Sequence, residues 1–352
     1  MAALRHKLLR WYDQAARDLP WRRTRDPYAI WVSEVMLQQT RVETVIPYYG
    51  RFLKRFPTPA ALAEADEDAV LSLWSGLGYY RRARLLHAGA REVVERYGGR
   101  VPESAEDRRA LPGVGRYTAG AIGSIAFDEP EPVVDGNVTR VLARLFGIDT
   151  PVGAASTTKR LWDEAARLVP GERPGALNQA LMELGATVCT AQRPQCATCP
   201  IMADCVAHRR GQVDALPVPR PRKTPSAIAL VAVVATRGRG RNRGVWLVRS
   251  EAPLFGGLWG VPMVERDGFG GDPRAALQEA GISARLASAP AARVEHVLTH
   301  RRLRLDVFRA TAARAEESET RRCFTDTALA EVGVSTLTRR LLAAASSSRY
   351  TS

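Results

Sequence analysis

The chain has 352 residues, 45% of them apolar, and a formal net charge of +14 at pH 7. That length suits about two domains with ordinary buried cores. The longest apolar run, residues 227–235, is too short for a membrane-spanning helix, which takes about 20 residues.

The first residues carry charges throughout an amphipathic stretch and lack the unbroken apolar segment of a signal peptide, so the expected location is the cytosol. Asp26-Pro27 is a helix start, with Asp as cap and Pro at the first helical position. Ile30, Trp31, Glu34, Val35, Gln38 and Arg41 then recur at helical spacing. Pro57 and Pro59 precede a second helix carrying Leu62, Val70, Leu71 and Trp74, broken at Gly76-Leu77-Gly78. A third carries Ala83, Leu86, Ala90 and Val93 and ends at Gly98-Gly99. Further helices fit 104–110, 116–127, 136–146, 157–168 and 174–187.

Residues 208–225 hold Pro217, Pro219, Pro221 and Pro225 among basic residues, a linker composition. Beyond it, 227–236 and 245–248 read as strands joined by an Arg/Gly loop, and Leu303, Leu305 and Val307 alternate with polar residues as in a half-buried strand. Residues 274–281 and 335–345 read as helices. The expected fold class is therefore multidomain: an all-α domain at 1–207, a linker at 208–225 and an α+β domain at 226–352.

Four of the five cysteines, Cys189, Cys196, Cys199 and Cys205, have the spacing C-x6-C-x2-C-x5-C. In a reducing compartment that spacing points to a metal site, either zinc or an iron–sulfur cluster. The net charge has two readings, a solvated basic surface or a polyanion partner. Leu111-Pro112-Gly113-Val114-Gly115-Arg116 lies between two helical segments. It is either an ordinary turn or a loop whose backbone N–H groups converge on a phosphate at the next helix's N-terminus. Asp135, before Gly136-Asn137, either caps a helix or presents an ionised carboxylate to a developing cation. Glu34 is either on a polar helix face or buried with a raised pKa suited to a general acid.

Together these motifs resemble a family. Trp31-Val32-Ser33-Glu34-Val35-Met36-Leu37-Gln38-Gln39-Thr40, Gly76-Leu77-Gly78-Tyr79-Tyr80, Leu111 to Tyr117, Val134-Asp135-Gly136-Asn137-Val138 and the cysteines occur in register over some 190 residues. The pattern is similar to that of the MutY-type adenine DNA glycosylases of the endonuclease III superfamily. The resemblance implies a helical domain with a helix-hairpin-helix and a [4Fe–4S] loop at 189–205, followed by a Nudix-like domain. It implies excision of adenine mispaired with 8-oxoguanine or guanine, by a monomer that binds duplex DNA and no membrane.

By the same resemblance, Glu34 corresponds to the acid that protonates the flipped adenine, and Asp135 to the carboxylate that stabilises the oxocarbenium-like sugar through a covalent intermediate. Tyr117 and Asn137 match supporting positions. Trp21, Arg22 and Gln179 match the adenine pocket, and Gln39, Leu77 and Tyr79 the wedge that fills the vacated stack. Tyr79 and Tyr80 also fit core aromatics. Gly113, Val114, Gly115 and Arg116 match the hairpin that grips the DNA backbone, and Arg193 is expected to face phosphate.

Strand-cleaving relatives carry a lysine where this chain has Tyr117, and no lysine lies between Lys54 and Lys159. A Schiff-base nucleophile is thus lacking nearby, and a monofunctional enzyme is expected. The Nudix signature is reduced to Glu279-Ala280-Gly281, so a binding module is expected rather than a pyrophosphatase. The lesion-sensing segment, usually Phe-Ser-His, reads Leu298-Thr299-His300 here. The competing readings are an endonuclease III-like glycosylase of other base specificity and a non-catalytic, DNA-binding or cluster-sensing protein; the latter would be expected to lack Glu34 or Asp135.

Overall fold

A computed structural model describes residues 1–220, 226–238, 240, 243–250, 255–265, 271–298 and 301–346. The helices in chain order are α1 (Ala2–Ala15), α2 (Pro27–Leu37), α3 (Val42–Arg55), α4 (Pro59–Ala63), α5 (Glu67–Trp74), α6 (Arg81–Tyr97), α7 (Ala105–Ala110), α8 (Arg116–Ala126), α9 (Gly136–Phe146), α10 (Ala155–Leu168), α11 (Pro174–Thr187), α12 (Val206–Arg209), α13 (Pro273–Glu279) and α14 (Thr336–Ser346). The strands are β1 (Ser226–Arg237), β2 (Gly244–Arg249), β3 (Trp259–Gly260), β4 (Met263–Glu265), β5 (Ser283–Leu286), β6 (Ala292–Val297), β7 (Arg301–Arg314) and β8 (Arg321–Phe324). The single helix expected over 59–74 is two: α4 stops at Ala63, and α5 begins at Glu67 after its N-cap Asp66, with Glu67 and Asp68 in a first turn whose partial positive charge favours acids. No described helix is long and apolar enough to cross a membrane.

Packing divides the chain into Met1–Glu64 with Ala88–Arg222, and Ala65–His87 with Lys223–Ser352. Residues 65–87 thus pack with the strand-bearing unit, although a division by element type at 208–225 assigns them to the helical one.

The first unit is helical. Asp26 caps α2, its side chain accepting from Tyr28 N at 3.0 Å, and Pro27 fills a position that needs no donor. Residues 28–36 of α2 are all buried, because α2 packs against both α3 and α8. A helix apolar nearly all round belongs in a core, and Glu34 goes in with it. One core of this unit joins Leu8 of α1, Val138, Val141 and Leu142 of α9, Leu161 and Leu168 of α10, and Leu177, Leu181 and Leu184 of α11. The α7–α8 connection turns at Gly113, whose φ of 76° favours glycine, and Gly115 enters α8 without a side-chain cap.

The second unit is built on an eight-stranded sheet with the path β3-β2-β1-β7-β5, with β4 paired to β1, β6 to β7 and β8 to β2. β1 and β7 are parallel over ten residue pairs, and the other pairings are antiparallel. β1 buries Ala232 and Val234 on one face, in the core that includes Leu337 and Leu341 of α14. Val233 and Ala235 enter the opposite core with Ala276 and Leu277 of α13. A central strand covered on both faces has no polar side, which is why 227–235 is unbroken apolar sequence. The segment 65–87 is tied into this unit by Ser75 Oγ and Tyr80 Oη, which both donate to Val334 O at 3.0 and 3.2 Å.

Candidate active site and cysteine loop

Within the helical unit, a cleft of about 710 Å³ is lined by residues from α2, α8, α11, the turn at Pro20–Arg22 and the entry to α9. Glu34, Asp135, Tyr117, Asn137, Trp21, Arg22, Gln39, Gln179, Gly113, Gly115 and Arg116 all border it. Val114 is buried beneath the hairpin instead.

Glu34 is 4% exposed, and Tyr117 Oη donates to its Oε2 at 2.6 Å. Burial pushes its carboxyl up to about 7; the Tyr117 hydrogen bond and Arg22 pull it down, and Asp135 pushes it further up. Periodicity could not separate a surface acid from a buried one here. Packing on two sides of α2 does. Tyr117 is itself raised well above its ordinary value by burial and by the two carboxyls.

Asp135 caps α9 and also lines the cleft. Its Oδ1 accepts from Val138 N at 2.7 Å and its Oδ2 from Asn137 Nδ2 at 3.0 Å. Burial raises this carboxyl, while those donors and Arg140 draw it back towards ionisation. A carboxylate at a helix N-terminus also gains from the partial positive charge there. The arrangement therefore holds one carboxyl poised to give up a proton near neutrality and a second held by donors that favour its anion.

Trp21 is buried with an edge-on contact to Tyr49, centroids 5.5 Å apart. Gln179 Oε1 accepts from Tyr12 Oη at 3.1 Å. Gln39 is exposed with φ 57°, in the left-handed region. Arg116 stacks its guanidinium 3.9 Å from the centre of the Trp162 ring. Leu77 and Tyr79 belong to the other unit: Leu77 is 6% exposed, Tyr79 47% exposed with φ 48°, and Tyr80 only 8% exposed. Of the two tyrosines, Tyr80 is thus the core aromatic. Thr299 and His300 lie outside the described residues; Leu298 packs on the second unit's core.

Several residues around this site gave no motif in the sequence. Glu183 of α11, fully buried, accepts from Arg17 Nε at 2.8 Å and Arg22 Nη2 at 2.8 Å. These bonds hold its carboxyl down at about 2. Arg140 donates to Asn137 Oδ1 at 2.8 Å, Gly185 O at 2.6 Å and Cys189 O at 2.7 Å. The available signal was spacing: Glu183 lies four residues after Gln179 and Arg140 three after Asn137, each on the same helix face.

All four clustered cysteines line a second, small cavity with Arg144, Val188 and Met202. Arg144 Nη1 lies 3.3 Å from Cys189 Sγ, and Cys205 Sγ 3.4 Å from Arg144 O. Burial raises the Cys199 thiol to about 11 and also raises Cys196, so these thiols need a metal or a cation to ionise. Among the described residues no group of three or more His, Cys, Asp or Glu is gathered to hold a single metal ion. Four thiols lining one cavity, beside a buried guanidinium that offsets negative charge, are a donor set that suits either zinc or an iron–sulfur cluster. Arg193 is exposed in the same loop with φ 52°.

Residues 32–167 match the model of the HhH-GPD superfamily of base excision DNA repair proteins, and 232–344 that of the NUDIX domain. The adenine DNA glycosylase of Rattus norvegicus is 55% identical over 229 residues, covering 62% of this chain and 44% of that protein. That of Buchnera aphidicola is 40% identical over 201 residues, 57% of each. The chain thus spans about half the length of the curated relatives it matches. A thermostable thymine-DNA glycosylase is 31% identical with a TM-score of 0.54, covering 59% of this chain and 96% of that structure. An endonuclease III in a covalent DNA complex, 24% identical with a TM-score of 0.51 and covering 59% of this chain and 94% of that one, shares the fold.

Proposed function

This chain belongs to the adenine DNA glycosylase family of the HhH-GPD superfamily, and from that premise we propose that it excises adenine from mispairs in duplex DNA. The observation that carries the reading is the unequal carboxyl pair of one cleft: Glu34, pushed up to about 7 and bonded to Tyr117, and Asp135, held by the N-terminus of α9. Breaking an N-glycosidic bond requires a proton on the leaving base and a negative charge near the sugar.

In this reading the adenine leaves the stack and enters the cleft. Trp21 supplies an apolar wall and Gln179 reads the base edge. Glu34 delivers its proton to the base while Tyr117 keeps the carboxyl oriented. As the N-glycosidic bond breaks and adenine leaves with its bonding pair, Asp135 stabilises the oxocarbenium-like sugar and closes on its anomeric carbon; water then displaces the carboxylate to complete hydrolysis, and Asn137 holds Asp135 in place. Gly113 to Arg116 engage backbone phosphate, with Val114 packed beneath, and Gln39 supports the opened stack; Leu77 and Tyr79, in the other unit, are proposed as DNA-contacting residues in their own right. The chain has Tyr117 where a lyase would need an amine, so hydrolysis without strand cleavage is proposed.

A [4Fe–4S] cluster would be held by Cys189, Cys196, Cys199 and Cys205. When bound it supplies a covalent tie that fixes the 189–205 loop, with Arg193 directed at phosphate. The domain division 1–207, 208–225 and 226–352 assigns 8-oxoguanine recognition to the Nudix-like part, at Leu298-Thr299-His300.

The test is single-turnover excision on duplexes with 8-oxoguanine:A, G:A and G:T pairs, for wild type, Glu34→Gln and Asp135→Asn. Adenine release by wild type is expected, with a loss of at least about 100-fold in each variant, the usual scale for removing a positioned proton donor or a preorganised charge that stabilises the transition state. Wild-type rates in both variants would refute the carboxyl assignment, and excision of thymine from G:T would favour the specificity named for the thymine-DNA glycosylase.

A further inference from the structure

Glu183 has no step in the chemistry above, yet it forms part of the cleft wall with no exposed side-chain surface. Its oxygens are fully engaged. Oε1 accepts from Arg17 N at 3.1 Å and Nε at 2.8 Å; Oε2 accepts from Arg17 Nη2 at 2.9 Å and Arg22 Nη2 at 2.8 Å. Arg22 is fixed from other sides as well. Its Nη1 donates to Arg17 O at 3.0 Å, and its guanidinium lies 5.4 Å from the centre of the Tyr12 ring.

Several groups face Glu34. Tyr117 comes from α8, Asp135 from the start of α9 and Arg22 from the turn at Pro20–Arg22. On α2 itself, the Tyr28 hydroxyl is spent on Phe56 O at 3.0 Å. On α11, Glu183 faces the same cleft. Arg22 lines the same cleft and draws Glu34 towards its ionised form, less strongly than burial, Tyr117 and Asp135 act on it while Arg22 stays paired with Glu183. An unscreened opposite charge in such a setting draws a carboxyl down by about 1–3 pH units, enough to strip a general acid of its proton at neutrality.

We propose that Glu183 is a positioning residue for the acid step: by closing an ion pair on Arg22 it weakens the pull of that cation, which would otherwise favour the ionised form of Glu34 more strongly. The cleft can then keep a guanidinium beside the base without losing its proton donor. This rests on the reading of Glu34 as the acid.

The test is the pH profile of single-turnover adenine excision by the full-length protein between about pH 5.5 and 9. Glu183→Gln keeps the shape and an acceptor but removes the charge. Its alkaline limb should move down by roughly one pH unit, which is about a tenfold loss at pH 8 with little change at pH 5.5. The double variant Glu183→Gln/Arg22→Gln should return the limb to near its wild-type position, whatever its absolute rate. Arg22→Gln alone leaves Glu183 charged and paired with Arg17, and should move the limb to higher pH. A uniform loss at every pH in Glu183→Gln, or a limb left in place by Arg22→Gln, overturns the proposal; the latter holds even if Glu183→Gln does not fold. A wild type that excises no adenine, or a Glu34→Gln variant that keeps the wild-type limb, would instead refute the acid reading on which it depends.

Discussion

Gly185 of α11 lies against the start of α9, and a methyl group there should damage catalysis far more than folding. A Cβ built on Gly185 would sit 2.7 Å from Asn137 Cβ, 2.8 Å from its O and 2.9 Å from its C. Ordinary contact begins near 3.4 Å, so Asn137 must retreat by about 0.7 Å, the difference between 3.4 and 2.7 Å. Two of the three atoms are backbone, so no rotamer change relieves them. Asn137 bonds Asp135, and Arg140 bonds both Asn137 and Gly185 O. The displacement therefore reaches the Asp135 carboxyl. Overpacking of this kind costs about 1–3 kcal/mol, partly offset by the roughly 1 kcal/mol that Ala gains over Gly inside a helix. The net melting shift should be only a few degrees. A misplacement near 1 Å can remove about 100-fold of rate, so Gly185→Ala should lose roughly 10- to 100-fold in single-turnover excision. Gly50→Ala is the control: it lies in α3, with nothing within 4 Å of its built Cβ, and should be neutral or slightly stabilising. A Gly185→Ala protein with wild-type excision would refute the argument that this contact sets the position of Asp135.

Excision should weaken as pH rises through about 7, because Glu34 must carry its proton. The Tyr117 hydrogen bond pulls Glu34 down, so Tyr117→Phe should shift that limb to higher pH while lowering the plateau; a shift to lower pH would contradict the bonding described. Glu183 is held at about 2, below its unfolded value of 4.5, so its contribution to stability is complete above 4.5 and lost as pH falls towards 2. Denaturant titrations should show a shallower acid loss for Glu183→Gln than for wild type, and identical slopes would remove that carboxylate as the cause. Purified protein should show broad visible absorbance that Cys199→Ser abolishes, together with a lower melting temperature; stoichiometric zinc without that absorbance would refute the cluster. Borohydride should trap no covalent DNA adduct at rates matching excision, and such an adduct would identify an amine nucleophile despite Tyr117.

Element identity was legible wherever local rules act alone. Asp26-Pro27 starts α2, Gly98-Gly99 follows α6, and β1, β7 and α14 lie where the patterns of residues 227–236, 303–307 and 335–345 put them. The join between α4 and α5 was not legible, because apolar spacing ran through it while the acidic residues between carried the break. Nor was the placement of residues 65–87 with the sheet, since that depends on long-range partners such as Val334.

For the site, residue types and their order along the chain pointed to the family and to the side chains that line the two cavities, because chemistry demands particular groups at particular local spacings. The tertiary structure alone decided what state those groups are in. Glu34 is an acid near neutrality only because α3 and α8 close over both sides of α2. Asp135 is restrained by donors gathered at one helix end. Glu183, Arg17 and Arg22 became a single unit only when segments more than 160 residues apart met. A sequence specifies which charges exist; burial and the distances between remote segments determine which of them are paired, and hence which proton is available.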